Sequence, residues 1–265
     1  MPTARSSAQR RHPRRNPGAR TAASFAIPVV LGVVVALAVT VLGRRPVTPV
    51  RKLSLPAVAA VAASPSLIGA AIATAPGAAR CPAVNVVFAR GTGEPSGLGE
   101  VGAPFVRTLT ADLPGKTVTY YAVNYAADEL QTSAGPGAAD MSDHIISTAT
   151  QCPGTTFVIG GYSQGASVTD IAIGIPTILG TGTTIPASLA SRIAAVVVFG
   201  NPLALTGETI TSASPHYARK VAEFCDTGDP VCGAGGNVQA HLDYAANGST
   251  TQGARFAAGQ VKAAG

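Results

Sequence analysis

The residues with the clearest chemical potential are 161–165, Gly-Tyr-Ser-Gln-Gly. The pattern G-x-S-x-G is typical of a serine on a sharp turn between a strand and a helix, where bulky flanking residues would collide with the backbone. A short apolar run, residues 157–160, precedes the pattern, and small residues follow it. This strand–turn–helix context predicts that Ser163 is the nucleophile of an acyl-transfer reaction.

A serine nucleophile needs a general base, and on this type of fold the histidine follows the serine in sequence. Two histidines do so, His216 and His241. His216 lies directly before a predicted strand, at the wrong edge for a site built on the carboxyl ends of strands. His241 follows the last predicted strand in a predicted loop, so we expect it to be the base. We interpret His216 and the earlier His144 as structural or surface residues.

The base in turn needs a carboxylate that orients it. The candidates between the serine and the histidine are Asp170, Glu208, Glu223, Asp226 and Asp229. Asp229 lies in the loop that follows the fifth predicted strand, and a disulfide across this loop would hold its carboxylate in place. We therefore predict Asp229 as the acid. Asp226 is its competitor, and its alternative role is a turn residue that bonds its own backbone.

The tetrahedral intermediate of acyl transfer needs hydrogen-bond donors for its oxyanion. The backbone N–H of Gln164 is one candidate, because Gln164 follows the nucleophile. The loop of residues 90–94, after the first predicted strand, supplies another in Thr92, through its N–H and its hydroxyl. The alternative for this loop is an ordinary glycine turn.

Strands and helices are predicted to alternate from residue 84 onward. Apolar and β-branched runs predict strands at residues 84–89, 118–123, 157–160, 193–199 and 220–224, and apolar spacing and composition predict helices at 102–113, 137–150, 166–173 and 253–264. Residues 207–215 and 233–237 are predicted to be loops. The alternation predicts an α/β fold with a mostly parallel sheet that helices cover on both faces.

Charge divides the chain into two parts. Residues 1–52 hold ten basic and no acidic residues, whereas residues 53–265 hold nine basic and thirteen acidic residues. The positive charge thus belongs to an N-terminal arm, which argues against a nucleic-acid-binding domain. The cysteine and histidine spacings do not match a zinc site, and we expect neither a metal nor a cofactor.

Two uncharged apolar runs, residues 24–42 and 53–75, each have basic residues beside them, and the second ends in small residues. The first is long enough to span a bilayer, and the second has the parts of a secretory signal peptide. The pair is either a membrane anchor with a spacer or an extension before a signal peptide that begins near Val50, and we favour the signal peptide. Both readings predict that residues 1–79 are a basic arm with anchor or signal segments, and that the product is secreted or held in the cell envelope.

Four cysteines follow these segments: Cys81, Cys152, Cys225 and Cys232. An even number of cysteines in an exported protein predicts two disulfides, for which three pairings exist. The short separation of Cys225 and Cys232 favours their pairing, which leaves Cys81 with Cys152.

Four motifs in this order resemble the cutinase family. They are residues 87–92 (VFARGT), residues 161–166 (GYSQGA), the disulfide loop with Gly-Asp-Pro at 228–230, and residues 241–244 (HLDY). The resemblance runs from about residue 81 to the end of the sequence and is closest to bacterial, cutinase-like proteins. It implies that residues 80–265 form a small α/β-hydrolase, a three-layer sandwich with a five-stranded, mainly parallel sheet and no lid.

The resemblance also implies roles for individual residues. These are Ser163, Asp229 and His241 as the catalytic triad, Thr92 and Gln164 as the oxyanion hole, and Cys81–Cys152 and Cys225–Cys232 as the disulfides. The implied activity is hydrolysis of carboxylic esters with short to medium acyl chains, by a monomer. The polar, glycine-rich residues 235–239 differ from the apolar rim of fungal members and argue against polymeric cutin as substrate.

Two other functions remain as alternatives. One is a lipase or phospholipase that acts on cell-envelope lipids, with membrane contact through the N-terminal segment. The other, less favoured because every assigned catalytic position holds a competent residue, is a surface lipid-binding protein without turnover.

Overall fold

The computed structural model of the protein describes residues 81–265. The predicted anchor and signal segments, and the boundary between residues 79 and 80, lie outside these residues. Within residues 81–265, no helix combines the length and the apolar character needed to cross a bilayer.

Five strands form one sheet in the order β2-β1-β3-β4-β5, and every neighbouring pair is parallel. The strands are β1 (Val84–Ala89), β2 (Val118–Ala122), β3 (Thr156–Tyr162), β4 (Ile193–Phe199) and β5 (Val221–Phe224). The helices are α1 (Gly99–Ala111), α2 (Ala134–Gln151), α3 (Gln164–Ala172), α4 (Ile210–Ala213), α5 (Val238–Leu242) and α6 (Ser249–Ala264). The predicted α/β fold with a five-stranded parallel sheet is therefore confirmed.

Two apolar clusters cover the two faces of the sheet. One cluster packs α2 and α3 against the sheet, with Met141, Ile145 and Ile171 among its buried members. The other packs α1 and α6 against the opposite face, with Phe105 and Val261 among its members. The central strands β1 and β4 are buried along their whole length, because helices cover them on both sides.

Some predicted boundaries were wrong for identifiable physical reasons. Helix α2 begins at Ala134 rather than 137, because Pro136 is tolerated in a first helical turn. Strand β3 runs from Thr156 to Tyr162 rather than ending at residue 160. Gly161 stays in the strand because it packs too closely for a side chain: a Cβ there would lie 1.9 Å from the carbonyl oxygen of Gly165. The predicted loop 207–215 contains α4, whose start is capped by reciprocal hydrogen bonds between Thr209 and Ser212.

Both disulfides lie within the described residues. The structure joins Cys81 with Cys152 and Cys225 with Cys232. The first ties the residues before β1 to the end of α2, and the second closes the loop after β5. The sheet, both apolar clusters and both disulfides are thus assembled from residues within 81–265.

Candidate active site

Ser163 lies on a strained turn between β3 and α3, with φ 56° and ψ −120°. A Cβ at Gly161 would lie 1.9 Å from the carbonyl oxygen of Gly165, and a Cβ at Gly165 would lie 2.0 Å from that of Ala89. The backbone N–H of Ser163 donates to the oxygen of Phe199 at 2.9 Å, which fixes the turn to β4. Both glycines of the pattern are therefore required by close backbone approach, and the serine is held at the carboxyl end of the sheet.

The structure brings the side chains of Ser163, His241 and Asp229 into one hydrogen-bonded chain. His241 Nε2 lies 2.9 Å from Ser163 Oγ, and His241 Nδ1 lies 2.8 Å from Asp229 Oδ2. Because a carboxylate only accepts hydrogen bonds, Nδ1 carries the proton and Nε2 accepts from the serine hydroxyl. The arrangement can remove a proton from Ser163 and stabilise the positive ring that results.

The prediction that His241 lies in a loop was wrong, since it lies in α5 (Val238–Leu242). Asn237 begins this helix by accepting the N–H of Gln239 with its side chain at 3.2 Å. The helix is five residues long, too short to produce an apolar periodicity that the sequence would reveal.

Asp229 is fully buried, and its hydrogen-bond partners favour its charged form. Its Oδ1 accepts the N–H of Val231 at 2.7 Å, and its Oδ2 accepts the hydroxyl of Tyr244 at 2.5 Å in addition to His241. Burial raises the pKa of Asp229, but these hydrogen bonds from Tyr244, His241 and Val231 outweigh burial and hold the pKa below its usual value. The carboxylate therefore stays ionised at neutral pH.

Asp226, the competing acid, is engaged elsewhere. Its carboxylate accepts from the side-chain amide of Asn247 and lies 3.5 Å from the hydroxyl of Ser249, at the start of α6. The expected role as a turn residue bonding its own backbone is thus replaced by a link between the disulfide loop and α6.

The two oxyanion candidates lie at the start of α3 and in the loop after β1. Gln164 is the first residue of α3, so its backbone N–H is among those without a partner inside the helix. Thr92 Oγ1 accepts a hydrogen bond from the side-chain amide of Gln131 at 2.7 Å, which leaves the hydroxyl hydrogen of Thr92 to donate to another acceptor. No motif in the sequence marks Gln131. Its backbone, with φ 61°, lies in a region that non-glycine residues rarely adopt.

The loop that carries Thr92 is fixed by charged side chains. The carboxylate of Glu94 accepts the N–H of Gly91 at 2.5 Å and that of Glu100 at 2.7 Å. The buried guanidinium of Arg90 donates to the carbonyl oxygens of Glu94 and Tyr125 at 2.7 and 2.8 Å. The loop is therefore a braced structure rather than a simple glycine turn.

The remaining candidates lie apart from Ser163. His144 stacks on Tyr121 with ring centroids 3.7 Å apart, and it lies 2.9 Å from the side-chain oxygen of Asn85. His216 is exposed. Asp170 is buried in α3 and accepts from Asn201 at 3.2 Å, and burial raises its pKa well above the usual value. Both histidines thus occupy the structural or surface positions that were expected.

A cleft of about 370 Å³ lies beside Thr92. Its lining includes Tyr162, Leu242 and the three acidic residues Glu94, Glu100 and Glu129. Val238 and Leu242, which flank His241 on α5, are 62% and 55% exposed, and Leu130, next to Gln131, is 83% exposed. Within residues 81–265, no group of three or more His, Cys, Asp or Glu side chains could hold a metal ion.

Residues 80–261 match a family model described as cutinase. A cutinase from Kineococcus radiotolerans is 60% identical over 190 residues, which are 71% of this chain and 65% of that protein. Phospholipase Culp4 from Mycobacterium tuberculosis is 42% identical over 221 residues, which are 83% of this chain and 96% of that protein. The chain thus spans slightly less than two thirds of the first relative and nearly all of the second.

The fold is also found in a solved structure of a Trichoderma reesei cutinase in complex with a C11Y4 phosphonate inhibitor. That structure is 32% identical, with a TM-score of 0.54, and the match covers 68% of this chain and 77% of that one.

Proposed function

This chain belongs to the cutinase family, a family of carboxylic ester hydrolases, and we propose that it is an exported serine esterase that forms an acyl-enzyme on Ser163. The observation that carries this proposal is the hydrogen-bonded chain from Ser163 through His241 to the buried Asp229. Export is supported by two disulfides, which persist in oxidising compartments, and by the signal-like residues 53–75.

In the proposed mechanism, Ser163 Oγ attacks the acyl carbonyl while His241 Nε2 takes its proton. Asp229 stabilises the imidazolium through Nδ1. The backbone N–H of Gln164, with the hydroxyl and N–H of Thr92, stabilises the negative oxygen of the tetrahedral intermediate. His241 then gives the proton to the departing alkoxide, and a water molecule activated by the same nitrogen hydrolyses the acyl-enzyme.

The test is hydrolysis of p-nitrophenyl esters from short to long acyl chains by residues 80–265, with Ser163→Ala as the control. We expect turnover that peaks at short to medium chains, and a loss of at least about 10³-fold in Ser163→Ala. A fluorophosphonate probe should label the wild type and not Ser163→Ala. A folded protein that is neither labelled nor active would refute the proposal and favour a lipid-binding protein without turnover.

The second candidate is a lipase or phospholipase that acts on cell-envelope lipids. It is supported by the match to phospholipase Culp4 over most of its length, and by the exposed Leu130, Val238 and Leu242 beside the proposed site. Exposed apolar side chains around a reactive serine can enter a lipid surface. Preference for long acyl chains, with release of fatty acid from phospholipid vesicles, would favour this candidate over the esterase.

A further inference from the structure

Tyr244 binds the same carboxylate oxygen as His241. Its side chain is fully buried, and its hydroxyl lies 2.5 Å from Asp229 Oδ2, the atom that also accepts His241 Nδ1–H at 2.8 Å. With the N–H of Val231 on Oδ1, the carboxylate accepts three hydrogen bonds, and two of them share one oxygen.

The surroundings of the phenol make it a donor to Asp229. The backbone N–H of Asp226 donates to the Tyr244 oxygen at 3.1 Å, so the hydroxyl hydrogen remains for the carboxylate, which can only accept. Burial and the hydrogen bond to Asp229 raise the pKa of Tyr244. The hydroxyl therefore keeps its proton throughout the neutral range.

Tyr244 and His241 lie on one short helical segment. Helix α5 continues directly into a 3₁₀ turn at Asp243–Ala245, so the two residues, three positions apart, face the same side. Their rings pack edge to face, with centroids 6.2 Å apart, and the Tyr244 ring also packs against Tyr162 at 6.0 Å. One rigid piece of chain thus presents two donors to a single carboxylate oxygen.

We propose that Tyr244 is a positioning residue that fixes the Asp229 carboxylate and, by sharing its charge, limits how strongly Asp229 stabilises the protonated ring of His241. A charge-assisted hydrogen bond from the phenol draws negative charge from Oδ2. Without the phenol, that charge would act on the imidazolium alone. This inference rests on the proposed roles of Ser163, His241 and Asp229, and it adds a fourth side chain that sets the pH range of the base.

Four other carboxylates lie in the surroundings of Asp229, Tyr244 and His241. Asp226 acts on both Asp229 and Tyr244, and Asp243 acts on Asp226. Glu94 and Glu100 act on Tyr162, whose ring lies 5.0 Å from that of His241. A variant at Tyr244 leaves all four in place. A difference in the titration of the His241 ring between wild type and variant therefore reports the effect of the Tyr244 hydroxyl.

The test is Tyr244→Phe in residues 80–265, which removes the hydroxyl and keeps the ring. Two quantities are measured: the NMR titration of the His241 ring, and the pH dependence of kcat/KM for a soluble p-nitrophenyl ester. We expect the ring titration and the acid limb of kcat/KM to move upward by about 0.5–1 pH unit, because part of a hydrogen bond to a charged group is transferred to the imidazolium. Incorporation of 3-fluorotyrosine, whose phenol is a stronger donor, should move the ring titration and the acid limb of kcat/KM downward. This second measurement does not require that Tyr244→Phe folds.

Tyr217→Phe is the matched control, because Tyr217 is also a buried tyrosine but belongs to the apolar cluster on the opposite face of the sheet from Tyr244. It should leave the ring titration unchanged. With Asp229→Asn already present, Tyr244→Phe should add no further shift. An unmoved titration in Tyr244→Phe, or an equal shift on top of Asp229→Asn, would overturn the inference. The NMR titration of His241 does not depend on turnover. If the protein hydrolysed no ester, the proposed function would be refuted, but the titration would still test the role of Tyr244.

Discussion

Replacing Thr92 by valine should reduce kcat by about 100-fold and leave KM nearly unchanged. Valine keeps the shape of threonine and removes the hydroxyl, which Gln131 holds at 2.7 Å with its hydrogen free to reach an oxyanion. Loss of one oxyanion donor costs about 10²–10³ in kcat, or about 2.7–4 kcal/mol. The low end applies here, because Thr92 is partly open to water and the N–H groups of Thr92 and Gln164 remain. KM should hardly change, since the substrate oxygen gains its charge only in the transition state.

The assay is steady-state hydrolysis of a short-chain p-nitrophenyl ester, with kcat and KM determined separately. Gln131→Ala should lose about tenfold in kcat, since Thr92 keeps its hydroxyl but not its orientation. Thr150→Val is the matched control: this exposed hydroxyl donates to the Ile146 oxygen within α2 and should not affect turnover. A loss of less than about threefold in Thr92→Val, or a loss expressed only in KM, would refute the role assigned to this hydroxyl.

Three further predictions concern the disulfide loop, a buried acid and the charge of the cleft. Replacing Cys225 and Cys232 by serine should strongly lower kcat per folded molecule and only slightly lower the melting temperature, because the loop that holds Asp229 is no longer closed by a disulfide. A large fall in melting temperature at unchanged kcat would contradict this. Burial raises the pKa of Asp170 in the folded state, so unfolding releases its proton above about pH 4, and stability should fall as pH rises from there towards the folded-state pKa. Asp170→Asn should remove this loss, so the melting temperature of the variant should rise relative to that of the wild type as the pH increases above about pH 4. A difference in melting temperature that does not change with pH would contradict the assignment. Because carboxylates line the cleft, an ester with a cationic leaving group should have a higher kcat/KM than an anionic analogue. Glu129→Gln and added salt should both reduce the preference for the cationic ester over the anionic one.

Much of the fold could be predicted because its signals are local. The bounds of β1 and β4 follow from continuous apolar runs, and both strands are indeed buried along their length. The start of α2 and the end of β3 were predicted less well. Pro136 and Gly161 usually mark breaks in local structure, but here the helix and the strand continue through them. Helices α4 and α5 were not predicted, because each is a single turn stabilised by its cap.

The same distinction applies to the candidate site. Ser163 is marked by its own neighbours, since the collision of any side chain at Gly161 or Gly165 with nearby backbone makes both glycines necessary. Gln131 carries no such mark: it meets Thr92 from 39 positions away, on the connection after a neighbouring strand. Tyr244 is part of a recognisable motif, but its contact with Asp229 becomes evident only when α5 and the disulfide loop are packed together.

The sequence by itself determined the class of fold, the serine turn and the residue types available for acyl transfer, because periodicity and backbone sterics act over a few residues. The sequence favoured Asp229 over Asp226, and the tertiary structure decided what each carboxylate meets: Asp229 lies 2.8 Å from His241 Nδ1, whereas Asp226 binds the side chain of Asn247 and lies near Ser249. It also decided that a phenol and an imidazole share one carboxylate oxygen and that an amide orients Thr92. Hydrogen bonds act over about 3 Å in space, whereas the partners of Ser163 and Thr92 are 78 and 39 residues away along the chain.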